Sequence, residues 1–267
     1  MRAADFAYFD VPFIPYAHRG GAHYPPNLHR ENTAYAFGQA VGLGYRHLET
    51  DVHATADGVL LAFHDSRLDR VTDHSGLIAD LPYAQVKEAR IGGHDPIPTL
   101  AELFVRFPDC HFNIDAKSEG AVDLLADTID EHEAHDRVCV SSFSVRRLYR
   151  LRRRLGRRVA SAASMYGIAW NRFAPVLNRL LNTPAPALQM PVDYVVLGRN
   201  RRILTPALVD VVHRAGKLVH IWTVDDSELI TQLVDAGVDG IFTDRIDTLK
   251  TVLTQRGLWT GAPGTDR

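Results

Sequence analysis

The chain of 267 residues is 46% hydrophobic and 23% charged, which supplies a full core and excludes a disordered polypeptide. Its formal net charge of −2 gives no support for bulk nucleic-acid binding. Acids and prolines interrupt the N-terminal stretch, no apolar run reaches about 18 residues, and two cysteines, Cys110 and Cys139, are too few for a disulfide framework, so a soluble cytoplasmic protein is expected.

Short apolar runs alternate with helical patterns along most of the chain. The first strand is expected at Ile14–His18, followed by a helix over Glu31–Gly42 with Asn32 and Thr33 near its start. A second strand, His47–Val52, leads to an extra strand at Val59–His64. The stretch Ser66–Pro98 then reads as loop-like, with helical potential around Tyr83–Ala89. Helices follow at Thr99–Phe107, Gly120–Glu133 and Ser144–Leu155, interleaved with strands at His111–Ala116, Arg137–Ser141 and Arg158–Ala162. The irregular stretch Ser164–Pro186 carries Trp170, Phe173, Val176, Leu177, Leu180 and Leu181 at roughly helical spacing, read either as core or as a hydrophobic rim meeting an acyl chain or a membrane surface. Strands at Ala187–Met190, Leu218–Thr223 and Gly240–Thr243 alternate with helices at Thr205–Ala215, Ser227–Ala236 and Asp247–Gln255 to complete the series. Thr205-Pro206 places a cap residue before a proline at the first helical position, and Gly216 and Gly237 end their helices.

Eight such alternations predict an α/β fold, a (β/α)8 TIM barrel forming one domain over residues 1–267. Residues 66–98 form an insertion after the second strand, on the side where barrel active sites lie.

The ends of the expected strands concentrate polar groups. The first ends in His18-Arg19-Gly20, the second carries Glu49 and Asp51, the extra strand ends in His64-Asp65, and the third carries Asn113, Asp115 and Lys117. Residues two apart on a strand share a face, so Glu49 and Asp51 point together, as do Asn113, Asp115 and Lys117. Like carboxylates held close repel and desolvate each other, and a cation removes that cost. Three carboxylates with no cysteine suit a hard ion, Mg2+ or Ca2+; salt bridges to Lys117 or an arginine are the alternative. His18 and His64 are candidate acid and base, since histidine titrates near neutrality. Arg19 and Lys117 either hold a phosphate or pair with the carboxylates. The remaining histidines read as structural.

In this order, His18-Arg19-Gly20, Glu31-Asn32-Thr33, Leu48-Glu49-Thr50-Asp51-Val52, Asp57-Gly58 and His64-Asp65 resemble the N-terminal signature of glycerophosphodiester phosphodiesterases. Asn113-Ile114-Asp115-Ala116-Lys117 resembles that family's third-strand motif, and Val219–Val224 and Gly237–Asp244 resemble its last two strands. The resemblance covers roughly Pro15 to Leu253. It implies a TIM barrel with a small insertion, a Ca2+ or Mg2+ ion on Glu49, Asp51 and Asp115, and acid–base catalysis by His18 and His64. It further implies phosphate binding by Arg19 and Lys117, an apolar wall from Trp222, and support from Glu31, Asn32 and Asn113. The substrate implied is a small glycerophosphodiester, cleaved to sn-glycerol 3-phosphate and an alcohol. The family's third carboxylate is typically glutamate; Asp115 stands in its place, one methylene shorter, and a bridging water or a shifted ion would compensate.

Three other readings share some of these features. A lysophospholipase D-like enzyme would use the same barrel on a lipid. The apolar stretch near Trp170 and the arginine-rich run Arg146–Arg158 suit transient contact with a membrane surface. A non-catalytic phosphate- or sugar-binding barrel would not need both histidines and all three acids. A zinc hydrolase would want more histidine ligands than the acids here leave room for.

Overall fold

The computed structural model describes residues 1–164, 167–168, 184–196 and 199–261. The apolar stretch from Trp170 to Leu181 lies outside the described residues.

Strands β1 (Ile14–His18) and β2 (His47–Ala54) open the fold, and β3 (Leu60–Ala62) folds back antiparallel on β2, pairing Val52 with Ala62. Two short strands, β4 (Arg90–Ile91) and β5 (Asp95–Pro96), pair with each other inside the 66–98 segment. They are followed by β6 (His111–Ala116), β7 (Val138–Ser141), β8 (Ala160–Ser161) and β9 (Ala187–Met190). An antiparallel hairpin, β10 (Asp193–Val196) and β11 (Arg199–Arg202), precedes β12 (Leu218–Ile221) and β13 (Gly240–Thr243). Eight of these strands form the parallel order β8-β7-β6-β2-β1-β13-β12-β9. A parallel bridge between Ala162 and Ala187 joins the two ends, so the expected barrel is present, with its strands in chain order around the ring.

The helices α1 (Ala34–Gly42), α2 (Tyr83–Val86), α3 (Leu100–Arg106), α4 (Ala121–Glu131), α5 (Val145–Leu155), α6 (Pro206–Arg214), α7 (Ser227–Asp235) and α8 (Ile246–Gln255) lie between the strands. All but α2 cover the barrel. Their starts follow side-chain chemistry: Thr99 and Glu102 make reciprocal bonds at the head of α3, and Thr205, Ser144 and Asp226 cap α6, α5 and α7. The first helix begins at Ala34, later than the sequence pattern suggests. Asn32 has a φ of 58° and Thr33 is the extended cap accepting from Ala36, so Glu31 and Asn32 stay in the preceding turn.

Burial explains the apolar residues of the strands. Outward residues Leu48, Val52, Phe112 and Ile114 pack with helix residues such as Phe37, Phe104, Leu125 and Ile129 in the main core. Each such side chain contributes roughly 1.5–3 kcal/mol when fully buried. Inward residues Ile14, Tyr16, Cys139, Ala160, Ala187 and Phe242 pack instead with Ala3, Phe6, Tyr8 and Phe9. The N-terminal segment therefore plugs one end of the barrel. His47 and His111 stack at 4.6 Å beside Tyr8, and Tyr16 Oη lies 3.2 Å from His220 Nδ1.

The 66–98 segment has a small core of its own, with Leu68, Ile78, Val86, Ala89, Ile91 and Ile97 packed on Leu61 and Phe63. Its two-residue strands are too short to leave a periodic signature, hence the loop-like reading. The β10–β11 hairpin escaped the sequence pattern because Arg199–Arg202 is a charged run with no alternation.

Candidate active site

The turn after β1 is dictated by Gly20. At φ 85° a Cβ there would meet the Ala36 Cβ at 2.8 Å, so only glycine lets the chain press onto α1. Arg19 sits in that turn at φ 50°, and its backbone N–H donates to Glu49 Oε2 at 3.1 Å. Asn32 braces the turn: its N–H donates to the Arg19 carbonyl at 2.9 Å and its Oδ1 accepts from Thr50 at 2.7 Å.

Strands β2 and β6 run in parallel register, Glu49 beside Asn113 and Asp51 beside Asp115. Their inward residues form the floor of a cavity of about 240 Å³. His18, Arg19, Glu49, Asp51, His64, Asn113, Asp115, Lys117 and Trp222 all line it. Of the residues singled out from sequence, Glu31 and Asn32 stand behind that lining. Ser141, Ser142, Phe143, Gln189, Thr223 and Phe242 add to the walls, with Ala162, Ala163 and Ile168.

The charges are interlocked. Lys117 Nζ lies 3.0 Å from Asp51 Oδ1 and 2.7 Å from Asp115 Oδ2, so the pairing with carboxylates read as an alternative for this lysine is present. Arg19 Nη1 donates to Glu31 Oε1 at 3.3 Å, and its Nε lies 3.4 Å from Asp51 Oδ2 without hydrogen-bond geometry. Asp51 Oδ2 and Asp115 Oδ1 are buried acceptors with no hydrogen-bond partner.

Burial, with the Asp51 charge added, pushes Glu49 up to about 7. Burial acts the same way on Asp51, but Lys117 and Arg19 outweigh it and hold its pKa below the ordinary carboxylate value. Burial also raises Asp115, more than the adjacent Lys117 can offset. The floor is thus short of positive charge at Glu49 and has two oxygens without donors.

These three carboxylates are a loose set. Among the described residues, the one group of three acid or imidazole ligand atoms within 4.8 Å of one another is His23, Asp225 and Asp244 at the rim. Asp115 has turned to Lys117, as the shorter aspartate side chain allows.

Each histidine has a carboxylate on Nδ1. Asp244 Oδ1 lies 2.8 Å from His18 Nδ1, leaving His18 Nε2 3.7 Å from Glu49 Oε2. Burial lowers the His18 pKa, but Glu49 and Asp244 together raise it above the ordinary value. Asp65 Oδ1 lies 2.6 Å from His64 Nδ1. Such a partner fixes ring orientation and leaves Nε2 for chemistry.

Sequence reasoning noted Asp65 and Asp244 beside their motifs without giving them a place in the site. The adjacency in His64-Asp65 was a usable signal; the pairing of His18 with Asp244 spans the barrel closure and left none. Gln189 and Phe143 were missed as well. Gln189 donates to Asn113 Oδ1 at 2.7 Å, and Phe143, 55% exposed, meets Trp222 edge-on at 5.7 Å.

Residues 18–248 match the glycerophosphoryl diester phosphodiesterase family. The chain is 40% identical over 253 residues to the Mycobacterium tuberculosis protein named "Probable glycerophosphodiester phosphodiesterase 2", covering 93% of this chain and 94% of that one. It is 30% identical to the glycerophosphodiester phosphodiesterase of Caldanaerobacter subterraneus, over 90% of this chain and 98% of that one. More distantly, at 26% identity, it is similar to lysophospholipase D GDPD1 of Rattus norvegicus, over 89% of this chain and 85% of that one. In fold it is similar to an Oleispira antarctica phosphodiesterase solved in complex with the product sn-glycerol-3-phosphate (TM-score 0.75, 24% identity, 93% of this chain and 99% of that one).

Proposed function

This chain belongs to the glycerophosphoryl diester phosphodiesterase family, and from that premise we propose that it hydrolyses glycerophosphodiesters to sn-glycerol 3-phosphate and an alcohol by two-histidine acid–base catalysis assisted by a divalent metal. The observation that carries this reading is the single cavity shared by two carboxylate-backed histidines, three acids and two cations. The product seen in the Oleispira relative is the one this reaction would release.

The donor set fits a hard ion. Asp51 Oδ2 and Asp115 Oδ1 are buried without donors, and no thiol lines the cavity. Glu49, Asp51 and Asp115 would hold Ca2+ or Mg2+. When bound, the ion supplies Lewis-acid polarisation of the phosphoryl group and neutralises the carboxylates that burial disfavours.

Arg19 and Lys117 lie where they can take non-bridging phosphate oxygens, and Trp222 with Phe143 offers an apolar wall to glycerol or the alcohol. One histidine accepts the proton of the nucleophile, the glycerol 2-hydroxyl or a water. The other donates a proton to the departing alcohol oxygen. Attack by the 2-hydroxyl gives a cyclic phosphate, which water opens while the histidines exchange roles. Asp244 and Asp65 hold the two rings so that each presents Nε2. Asn113, fixed by Gln189, closes the floor. This reading takes residues 1–267 as one phosphodiesterase unit, with 66–98 as its active-site-side insertion, acting on a small molecule in the cytoplasm.

A lysophospholipid substrate is a second reading. Phe143, Val145 and Tyr149 are exposed, Phe143 on the cavity wall and the other two on the helix that follows it, and Arg146 and Arg153 lie exposed on that helix. No helix among the described residues is long and apolar enough to cross a membrane, so contact with lipid would be at the surface. Parallel assays of glycerophosphocholine and lysophosphatidylcholine separate the two. The first reading expects the water-soluble diester to be turned over with the higher kcat/KM, and preference for the lipid would replace it.

A further inference from the structure

The 66–98 insertion does more than flank the site. It sends one arginine into the ion-pair network behind both proposed catalytic and phosphate-binding groups. Arg70 Nε donates to Asp65 Oδ2 at 2.5 Å, while Asp65 Oδ1 lies 2.6 Å from His64 Nδ1. The other edge of the same guanidinium forks onto Glu31, with Nη1 3.0 Å from Oε2 and Nη2 2.6 Å from Oε1. Glu31 Oε1 in turn accepts from Arg19 Nη1 at 3.3 Å. His64, Asp65, Arg70, Glu31 and Arg19 thus form one continuous chain of charged hydrogen bonds.

We propose that Arg70 is a positioning residue that braces His64 through Asp65 and Arg19 through Glu31 at the same time. The proposal deepens the reading above and rests on it. The geometry needs arginine. A planar guanidinium presents donors on two edges in fixed directions, so one side chain can hold two carboxylates at a set separation. A lysine ammonium cannot fork in this way. Without Arg70, Asp65 and Glu31 lose their common donor, and each is free to turn away from the side chain it supports. Partners behind a reacting group commonly set its orientation at a cost in rate when removed.

The Arg70 side chain is 49% exposed, and exposed ion pairs add little to stability. Its variants should therefore fold, which allows a clean test. In Arg70→Met, kcat for glycerophosphocholine should fall about tenfold or more, and calorimetric affinity for sn-glycerol 3-phosphate should weaken about fivefold. The thermal midpoint should stay within about 2 °C of the parent. Adding Asp65→Asn should change kcat by less than about twofold further, and adding Glu31→Gln should do the same for product affinity, because each pair acts as a unit. Arg67→Met is the local control: Arg67 pairs with Asp69 inside the insertion, and its loss should leave both quantities within about twofold. Parent-like kcat and affinity in Arg70→Met, or losses that multiply in the double variants, would overturn the brace. If His64→Ala loses turnover while Arg70→Met does not, the acid–base reading stands and the brace falls. If His64→Ala remains active, the acid–base reading fails and takes the Asp65 arm with it.

Discussion

Among single residues, Asp115 and the two histidines carry the proposed reaction. Asp115 is the member whose reach is short, and it rests on Lys117 at 2.7 Å. Restoring the missing methylene in Asp115→Glu should lower the Ca2+ or Mg2+ concentration needed for half-maximal activity by several-fold, about 1 kcal/mol or less. A metal titration that superimposes on the parent's would show that Asp115 does not reach the ion. Removing either imidazole should cost at least about 10²-fold in kcat, the lower range for a lost general acid or base. Circular dichroism should show both alanine variants folded, since His18 and His64 lie at strand ends on the cavity wall. The His18, Glu49, Asp51, His64 and Asn113-to-Lys117 motifs were legible in the sequence because polar residues two apart on an expected strand, or just at its end, share the face that lines the cavity. Asp244 was not: its place beside His18 depends on β13 returning to β1, a contact made across the whole barrel. Arg70 was hidden for a related reason, because a surface arginine in an irregular segment carries no periodic signal.

Elements fix the barrel floor and its response to pH. His47 on β2 and His220 on β12 face inward beneath the cavity, and burial pushes both down to about 3. The sign follows from proton uptake. In the unfolded chain these rings titrate near the ordinary value of 6.5, so between that value and about 3 the unfolded state holds more protons. Their contribution to stability is present above about 6.5 and is lost as the pH falls, by up to about 1.4 kcal/mol per unit for each ring. Urea unfolding at about pH 7.5 and about pH 5 should therefore show a lower midpoint in acid, with a shallower dependence in His220→Leu. An equal pH dependence in that variant would mean the ring is not buried neutral. The plug beneath them is testable in the same way. Tyr8→Ala removes a fully buried ring from the floor and should cost about 3 kcal/mol. Loss of less than about 1 kcal/mol would mean that the N-terminal segment does not close the barrel. Strand positions were readable here because both faces are buried, so short runs rich in apolar residues recur, interrupted in β2 and β6 by the inward polar side chains of the cavity. The plug was not readable, since Ala3–Phe9 forms only two short 3-10 turns whose partners lie throughout the barrel. Strand β8 shrinks to Ala160–Ser161, and among the described residues closure runs through the bridge from Ala162 to Ala187, a detail below the resolution of any sequence pattern.

The whole molecule places every proposed reacting group on one side of a closed barrel, with a stable floor below and an insertion beside. The net charge of −2 is near zero because 30 basic and 32 acidic residues nearly balance, and inside the cavity Lys117 is paired with Asp51 and Asp115. Family membership carries the identity of the glycerol; the geometry carries the phosphodiester chemistry. The most direct test of both together is release of sn-glycerol 3-phosphate from glycerophosphocholine by the parent protein, followed with and without chelator. The account predicts release that stops when divalent ions are removed, returns with Ca2+ or Mg2+, and is lost in His18→Ala and in His64→Ala. Release that is unchanged by chelator, or that never occurs with either ion present, would contradict it.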